Sequence, residues 1–296
     1  MQSLKNFLKT SAFSLLGLGL LTAPAHAVNI TTTSNPNVLV NNILGSGITV
    51  SNATYNGASI ASGIFTGGLA SGIGIEQGII LTTGDARLAV GLNDRDDATS
   101  INGLSGDADL SALLGGLNTL DASVLEFDFT STTGNLFFNY VFASEEYNEF
   151  VNTNFNDVFG FFLDGQNIAL IPGTTTPVSI NSVNGGNPIG TNASNSQFFN
   201  NNAGGLFNIQ YDGFTNVFTV NIQGLSAGTH RIKLAIADAG DSSLDSAVFI
   251  QAGTFSGEPP RDVPEPTTIL GVLACGGLGA TSLRKRKQSQ NPVTKA

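Results

Sequence analysis

Between Ser123 and Phe255 the apolar residues recur with a period of two. In "SVLEFDFTST", Leu125, Phe127 and Phe129 alternate with Glu126 and Asp128, and in "THRIKLAIADAG", Ile232, Leu234 and Ile236 alternate with Arg231 and Lys233. That period belongs to a β-strand with one wet face. "NLFFNYVFA" is more apolar on both faces, and "SAVFIQAGTF" closes the body. "DVFGFFLDGQNIALIPG" places Asp164-Gly165 between two apolar runs, a hairpin signal. Residues 28–80 add glycine-bounded runs such as "GITVSNATYNG" and "GIEQGIILTTG", which read as further strands and turns. Leu110, Leu113, Leu114 and Leu117 fall at helical spacing behind Asp107, so one short helix is expected there. Residues 184–205, rich in asparagine and glycine, read as a long loop. Many short strands with so little helix predict an all-β fold, an antiparallel β-sandwich or jelly-roll-like body.

The two ends are of another kind. Lys5 and Lys9 precede an apolar run from Phe13 to Leu21, and Ala25-His26-Ala27 follows. This is the pattern of a secretory signal peptide, residues 1–27, with Ala25 and Ala27 at the cleavage site. A spanning helix would need about 20 apolar residues. At the other end, residues 259–263 form a proline-containing linker. The uncharged stretch Thr267–Leu283 then runs into Arg284, Lys285, Arg286 and Lys287. A short membrane segment with its positive cluster inside is expected, followed by a tail over 289–296. Pro264-Glu265-Pro266, the apolar stretch and the basic cluster occur in this order over 264–288, and together they resemble a PEP-CTERM sorting signal. The resemblance implies handling by signal peptidase and an exosortase-type transpeptidase. It also implies delivery to the cell surface or extracellular matrix of a Gram-negative-type bacterium, with membrane attachment at least in transit.

Between the ends, residues 28–258 form one expected domain. Its basic residues are Arg87, Arg95, Arg231 and Lys233, set against twenty acidic residues, a net charge of −16. So acidic a surface excludes nucleic acid as a partner, because phosphate binding needs basic side chains to displace counterions. The only cysteine, Cys275, lies in the apolar segment near the C-terminus. The body therefore has no disulfide and no thiolate site. Its stability must come from its core or from bound ions.

"FASEEYNEF", "FNDVFGFFLDG", "NIALIPGTTTPVSINSVNGG", "NIQYDGFTNVFTV" and "LAIADAGDSSLDSAVFI" follow one another between Phe142 and Ile250. Together they resemble the choice-of-anchor L domain. The resemblance implies an extracellular, surface-sorted, β-rich module and no known catalytic activity.

Two acidic segments stand out. Glu145, Glu146 and Glu149 follow the strand ending near Phe142, and Asp157 begins "DVFGFF". Asp238, Asp241 and Asp245 lead into "SAVF" in the same manner. Neither segment contains lysine or arginine. Unpaired carboxylates repel one another, and burying them costs several kcal/mol or raises their pKa. Calcium accepts 6–8 oxygen ligands in flexible geometry and removes that cost. Glu145, Glu146, Asp157, Asp238, Asp241 and Asp245 are therefore the candidate calcium ligands. The alternative is a solvated acidic loop that needs no ion. The ladder of an EF-hand is absent. Asp94, Asp96, Asp97, Asp107 and Asp109 form a second candidate calcium site, whose alternative is that Arg95 satisfies part of the charge instead.

The function expected is structural or adhesive: a calcium-stabilised surface module meeting matrix polysaccharide or another surface protein. Tyr147, Phe150, Phe155, Tyr211 and Phe214 are aromatics that either stack on sugars or, as is commoner at strand spacing, pack inward. A secreted glycosidase-like hydrolase using paired carboxylates is the alternative. No serine nucleophile motif supports it, and His230 is the only histidine of the body. No catalytic residue is assigned.

Overall fold

The computed structural model describes residues 27–260. The elements run in chain order as β1 (Asn29–Thr32), α1 (Pro36–Ile43), β2 (Ile48–Asn56), β3 (Ser62–Thr66), α2 (Gly68–Ser71), β4 (Gln77–Thr82) and α3 (Ala108–Leu113). They continue with β5 (Thr119–Ser131), β6 (Asn135–Ser144), β7 (Val158–Leu163), β8 (Gln166–Asn167), β9 (Phe199–Asn201), β10 (Gly213–Thr215), β11 (Phe218–Gln223), β12 (His230–Ala239) and β13 (Ser246–Gln251). The signal peptide, Ala25, and the sorting residues Pro264, Glu265, Pro266, Arg284, Lys285 and Arg286 lie outside the described residues. Among the described residues no helix is long and apolar enough to cross a membrane.

Two antiparallel sheets face each other. The larger has the order β1-β3-β4-β13-β6-β10-β9, with β11 also paired to β6, and the smaller has β2-β5-β12-β7-β8. The period-two segments behave as read. Leu125, Phe127 and Phe129 on β5 and Ile232, Leu234 and Ile236 on β12 turn into the space between the sheets. They meet Phe138, Tyr140 and Phe142 of β6 and Val248 and Ile250 of β13 there. Phe138 and Phe161 touch across this core at 5.1 Å between ring centroids, edge to face. The larger sheet is also apolar on its outer side, where Val141, Ala143, Ala247, Phe249 and Phe214 pack with Ala86 and Ala89 after β4 and with Ile209 and Tyr211 before β10. This second packed face explains why "NLFFNYVFA" and "SAVFIQ" do not alternate.

The Asp164-Gly165 turn joins β7 to β8, with Leu163 opposite Gln166. Both turn residues have positive φ, 49° and 83°, as a two-residue hairpin requires. Helix α3 also forms where expected, capped by the Asp107 side chain accepting from the amides of Asp109 and Leu110. The expectation of a single helix is incomplete, because α1 stands where only strands and turns were read. Its signals are local: Asn35 accepts from the amides of Asn37 and Val38, Pro36 opens the first turn, and Leu39, Val40 and Ile43 form its buried side.

Candidate metal site at one end of the sandwich

β6 and β12 end, and β7, β10 and β13 begin, at the same end of the sandwich. Antiparallel pairing makes this so, because Ser246 lies opposite Ser144 and Ala237 opposite Val158. The two acidic segments converge there. Of the six candidate ligands, Glu145, Glu146, Asp157, Asp238 and Asp245 are each no more than 2 % exposed. The solvated-loop alternative does not hold for these five. Asp241 is exposed and its Oδ1 accepts from the Ser243 amide, a local turn contact.

Asp157 is the best satisfied of the five. It accepts from the Ala239 amide at 2.9 Å and from Ser246 Oγ at 2.7 Å. Burial nevertheless raises its pKa to about 7, against those two hydrogen bonds and with the charges of Asp245 and Asp241 adding to the rise. Neither carboxylate oxygen of Asp238 has a well-formed hydrogen bond, although the Thr83 hydroxyl is near enough to oppose the rise in its pKa, and Glu146 Oε2 has no partner. Burial raises Asp238 well above the usual range, and the Asp157 charge raises it further. Burial and then the charges of Asp157 and Asp241 bring Glu146 to about 9.

Glu145 is more extreme. Both of its oxygens are buried without partners. Burial, then the Asp212 and Asp245 carboxyls, raise it to about 10, and Arg95 opposes the rise. Asp245 is raised to about 7 by burial, against hydrogen bonds from the Ser100 amide and Thr99 Oγ1. Two acids absent from the expected set belong to this end. Asp212 is 1 % and Asp121 2 % exposed. Asp212 accepts from Asn93 Nδ2, while its Oδ2 has no partner. Asp121 is satisfied, accepting from the amides of Asn102 and Leu104 and so fixing the loop before α3. Asp212 precedes its strand just as Asp157 and Asp245 precede theirs, and that shared position was the signal available for it.

No ion pair joins these carboxylates to a base among the described residues. Arg87 pairs with Asp85, Arg231 with Glu126 and Asp128, and Lys233 with Asp107 and Asp109. The further acidic group around Asp94–Asp109 is thereby divided, its last two members serving Lys233. His230, the first residue of β12, is buried and bonded through Nδ1 to Asp164. Tyr147, Tyr211 and Phe214 pack inward, while Phe150 and Phe155 are partly covered and meet edge to face at 5.4 Å. Among the described residues, depressions at 46/251–260, 113–117/153–182 and 87–95/210 contain none of the buried carboxylates.

The donor set fits a hard, oxygen-seeking cation: several carboxylate oxygens, removed from water, of which only some accept a hydrogen bond. Among the described residues no three acidic, histidine or cysteine side chains already close around one point. An ion here would draw two carboxylates together and complete its shell from hydroxyl, amide, main-chain or water oxygens.

The family model of the choice-of-anchor L domain matches residues 27–256, and the chain belongs to that family. The family is one of surface-associated, β-rich modules and implies no catalysis. No curated protein and no solved structure matches the chain.

Proposed function

We propose that this choice-of-anchor L chain is an exported, surface-sorted β-sandwich whose acidic end binds calcium and is stabilised by it. The role is structural or adhesive, in the cell envelope or extracellular matrix. The observation that carries the calcium reading is Asp238: a buried carboxylate with no well-formed hydrogen bond and no ion pair, next to Asp157, whose charge also reaches Glu146. Three ionised acids there would each cost several kcal/mol after relaxation. A divalent cation bound to Asp157, Asp238 and Glu146 offsets that cost, and Asp241 at the rim adds a route from solvent. Its chemistry is charge neutralisation and cross-linking of the two sheets.

Export and sorting rest on the sequence at the two ends: the Ala25-His26-Ala27 site for signal peptidase, and the Pro264-Glu265-Pro266 and Arg284-Lys285-Arg286 elements for an exosortase-type transpeptidase. The partner outside the cell is matrix polysaccharide or another surface protein. The net acidity of the body and the burial of its acids argue against nucleic acid and against a glycosidase cleft, which must admit a sugar between its carboxylates.

The test is thermal melting of the full chain with calcium and with excess chelator. A ligand present at about 100 Kd adds about 2.7 kcal/mol, which is a rise on the order of 5–10 °C for a domain of this size. The rise should shrink in Asp238→Asn. An identical melt in calcium and chelator would refute the calcium reading and leave the sorting reading standing.

A further inference from the structure

The strand register places three carboxylates side by side on the outer face of the larger sheet. Gly213 lies opposite Ser144, and Phe214 opposite Ala143. Ser246 lies opposite Ser144 on the other flank, and Ala247 opposite Ala143. One step beyond, Glu145 sits between Asp212 and Asp245, and its amide donates to the Asp245 carbonyl at 3.1 Å. Alternation gives the direction. Ser246 Oγ points between the sheets, where it meets Asp157. Glu145, Asp212 and Asp245 share the opposite parity, that of Ala143, Phe214 and Ala247, which pack on the outer face. They therefore lie on the other side of the sheet from Glu146, Asp157 and Asp238.

Each flanking acid of this row uses one oxygen on the protein. Asp245 Oδ1 accepts from Thr99 Oγ1 and the Ser100 amide, and Asp212 accepts from Asn93 Nδ2. Their remaining oxygens, Asp245 Oδ2 and Asp212 Oδ2, are buried and unpartnered, as are both oxygens of Glu145 between them. Just past the end of β4, the next strand over, Gly84 makes the space: a Cβ there would run into the Asp245 carboxylate. Thus four buried acceptor oxygens at the ends of three adjacent strands have no donor among the described residues, and Glu145 and Asp212 lie within hydrogen-bonding reach of each other. Arg95 acts on Glu145 only through longer-range charge.

We propose that Asp212, Glu145 and Asp245 hold a second divalent cation of the calcium class, separate from the one between the sheets. It rests on the reading that this end of the sandwich takes calcium, but on residues of its own. Such an ion ties β10, β6 and β13 together. It also fixes the loop carrying Asn93, Thr99 and Ser100 over the sheet. The rival is a proton shared between Glu145 and Asp212, which satisfies two of the four oxygens and needs no metal.

The experiment is calcium titration of the chelator-treated full chain, read by calorimetry for stoichiometry. Wild type should take two ions per chain. Glu145→Gln with Asp212→Asn should remove one, and Glu146→Gln with Asp238→Asn should remove the other. These substitutions keep side-chain volume and remove buried charge. One ion, lost only in the second pair, overturns the outer site and leaves the proposed function intact. One ion lost in both pairs also overturns it, in favour of a single shared site. No binding overturns both readings. A second measurement reads the outer ion alone. In the Glu146→Gln, Asp238→Asn background, terbium(III) emission excited through tyrosine should lose most of its intensity in Tyr211→Phe, because Tyr211 is buried where the charges of Asp245, Glu145 and Asp238 reach it and only the first two then remain; unchanged emission would also overturn the proposal.

Discussion

Ser246 Oγ, at the first residue of β13, donates to Asp157 Oδ2 at 2.7 Å across the gap between the two sheets. The same hydroxyl lies 2.8 Å from Ser144 Oγ. A hydroxyl has one proton to give, and Ser246 is the donor in both contacts, so the carboxylate and Ser144 Oγ compete for it. Ser144 Oγ in turn accepts from the Glu146 amide. A short chain of bonds thus runs from the amide of one candidate ligand to the carboxylate of another. Ser246→Ala should cost about 1–3 kcal/mol, the price of leaving a buried acceptor bare. Urea denaturation in chelator checks this. A loss within ±0.5 kcal/mol, the range of an ordinary surface substitution, would mean that Asp157 finds another donor.

The raised acids set the pH dependence. In the folded chain Glu145 titrates near 10, Glu146 near 9, and Asp157, Asp212 and Asp245 near 7, all from ordinary values of 3.8–4.5. The native state therefore keeps protons that the unfolded chain has released, and stability without metal falls as pH rises through that interval. Calcium displaces those protons, so its stabilising effect should grow with pH. Melting at about pH 5, 7 and 9 with calcium and with chelator makes the comparison. We expect the chelated protein to melt lower at each step upward and the gap between the curves to widen. Parallel curves would remove the buried carboxylates from the account.

Gly84 tests the packing around Asp245 directly. Its backbone does not need the left-handed region, so alanine is conformationally permitted there. The added Cβ, however, meets the Asp245 carboxyl group. Gly84→Ala should force that carboxylate to turn, break its contacts to Thr99 and Ser100, and destabilise by roughly 1–3 kcal/mol. Hydrogen exchange should show faster amide exchange at Ser100 and Leu244, since Leu244 donates to Thr99 Oγ1. Protection at both amides equal to wild type would show that the site accommodates a methyl group.

The strands were legible because their periodicity is local: Leu125, Phe127 and Phe129 announce their face without reference to any other segment. Helix α1 was equally local, since Asn35-Pro36 is a start signal, but the glycine-bounded apolar runs around it read as strands. That acids cluster was legible from the missing lysines and arginines. That they are buried, and divided between the two faces of one sheet, was not. Glu145 and Glu146 are neighbours in sequence, yet alternation sends them to opposite sides. The partners Asp212 and Asp245 reach Glu145 only through two separate strand registers, with Ser144 as the shared reference. Non-local pairing of this kind leaves no mark in a single segment.

His230 and Asp164 form the other polar pair of consequence, at the β7–β8 turn. Nδ1 lies 2.6 Å from Asp164 Oδ2 and Nε2 2.9 Å from the Ser226 carbonyl. Both ring nitrogens face acceptors, so the imidazolium satisfies both. The hydrogen bond to Asp164 first, then the Ser226 carbonyl, raise the histidine pKa above 6.5. For Asp164, burial works upward, but the bonds from His230 and the Arg231 amide prevail and hold its pKa below 3.8. The histidine contribution is whole below pH 6.5 and is lost as pH rises through the raised folded value. The aspartate contribution is present above 3.8 and is lost as pH falls through the lowered one. The pair therefore helps most between those limits, and by a modest amount, because the Asp164 side chain is 51 % exposed and screened. Asp164→Asn keeps the positive φ of the turn, which asparagine adopts readily, and removes only the charge. NMR titration of His230 should then give a pKa nearer its ordinary value, with stability at pH 5 reduced by about 1 kcal/mol. A histidine pKa unmoved by the substitution would assign the shift to the Ser226 carbonyl instead.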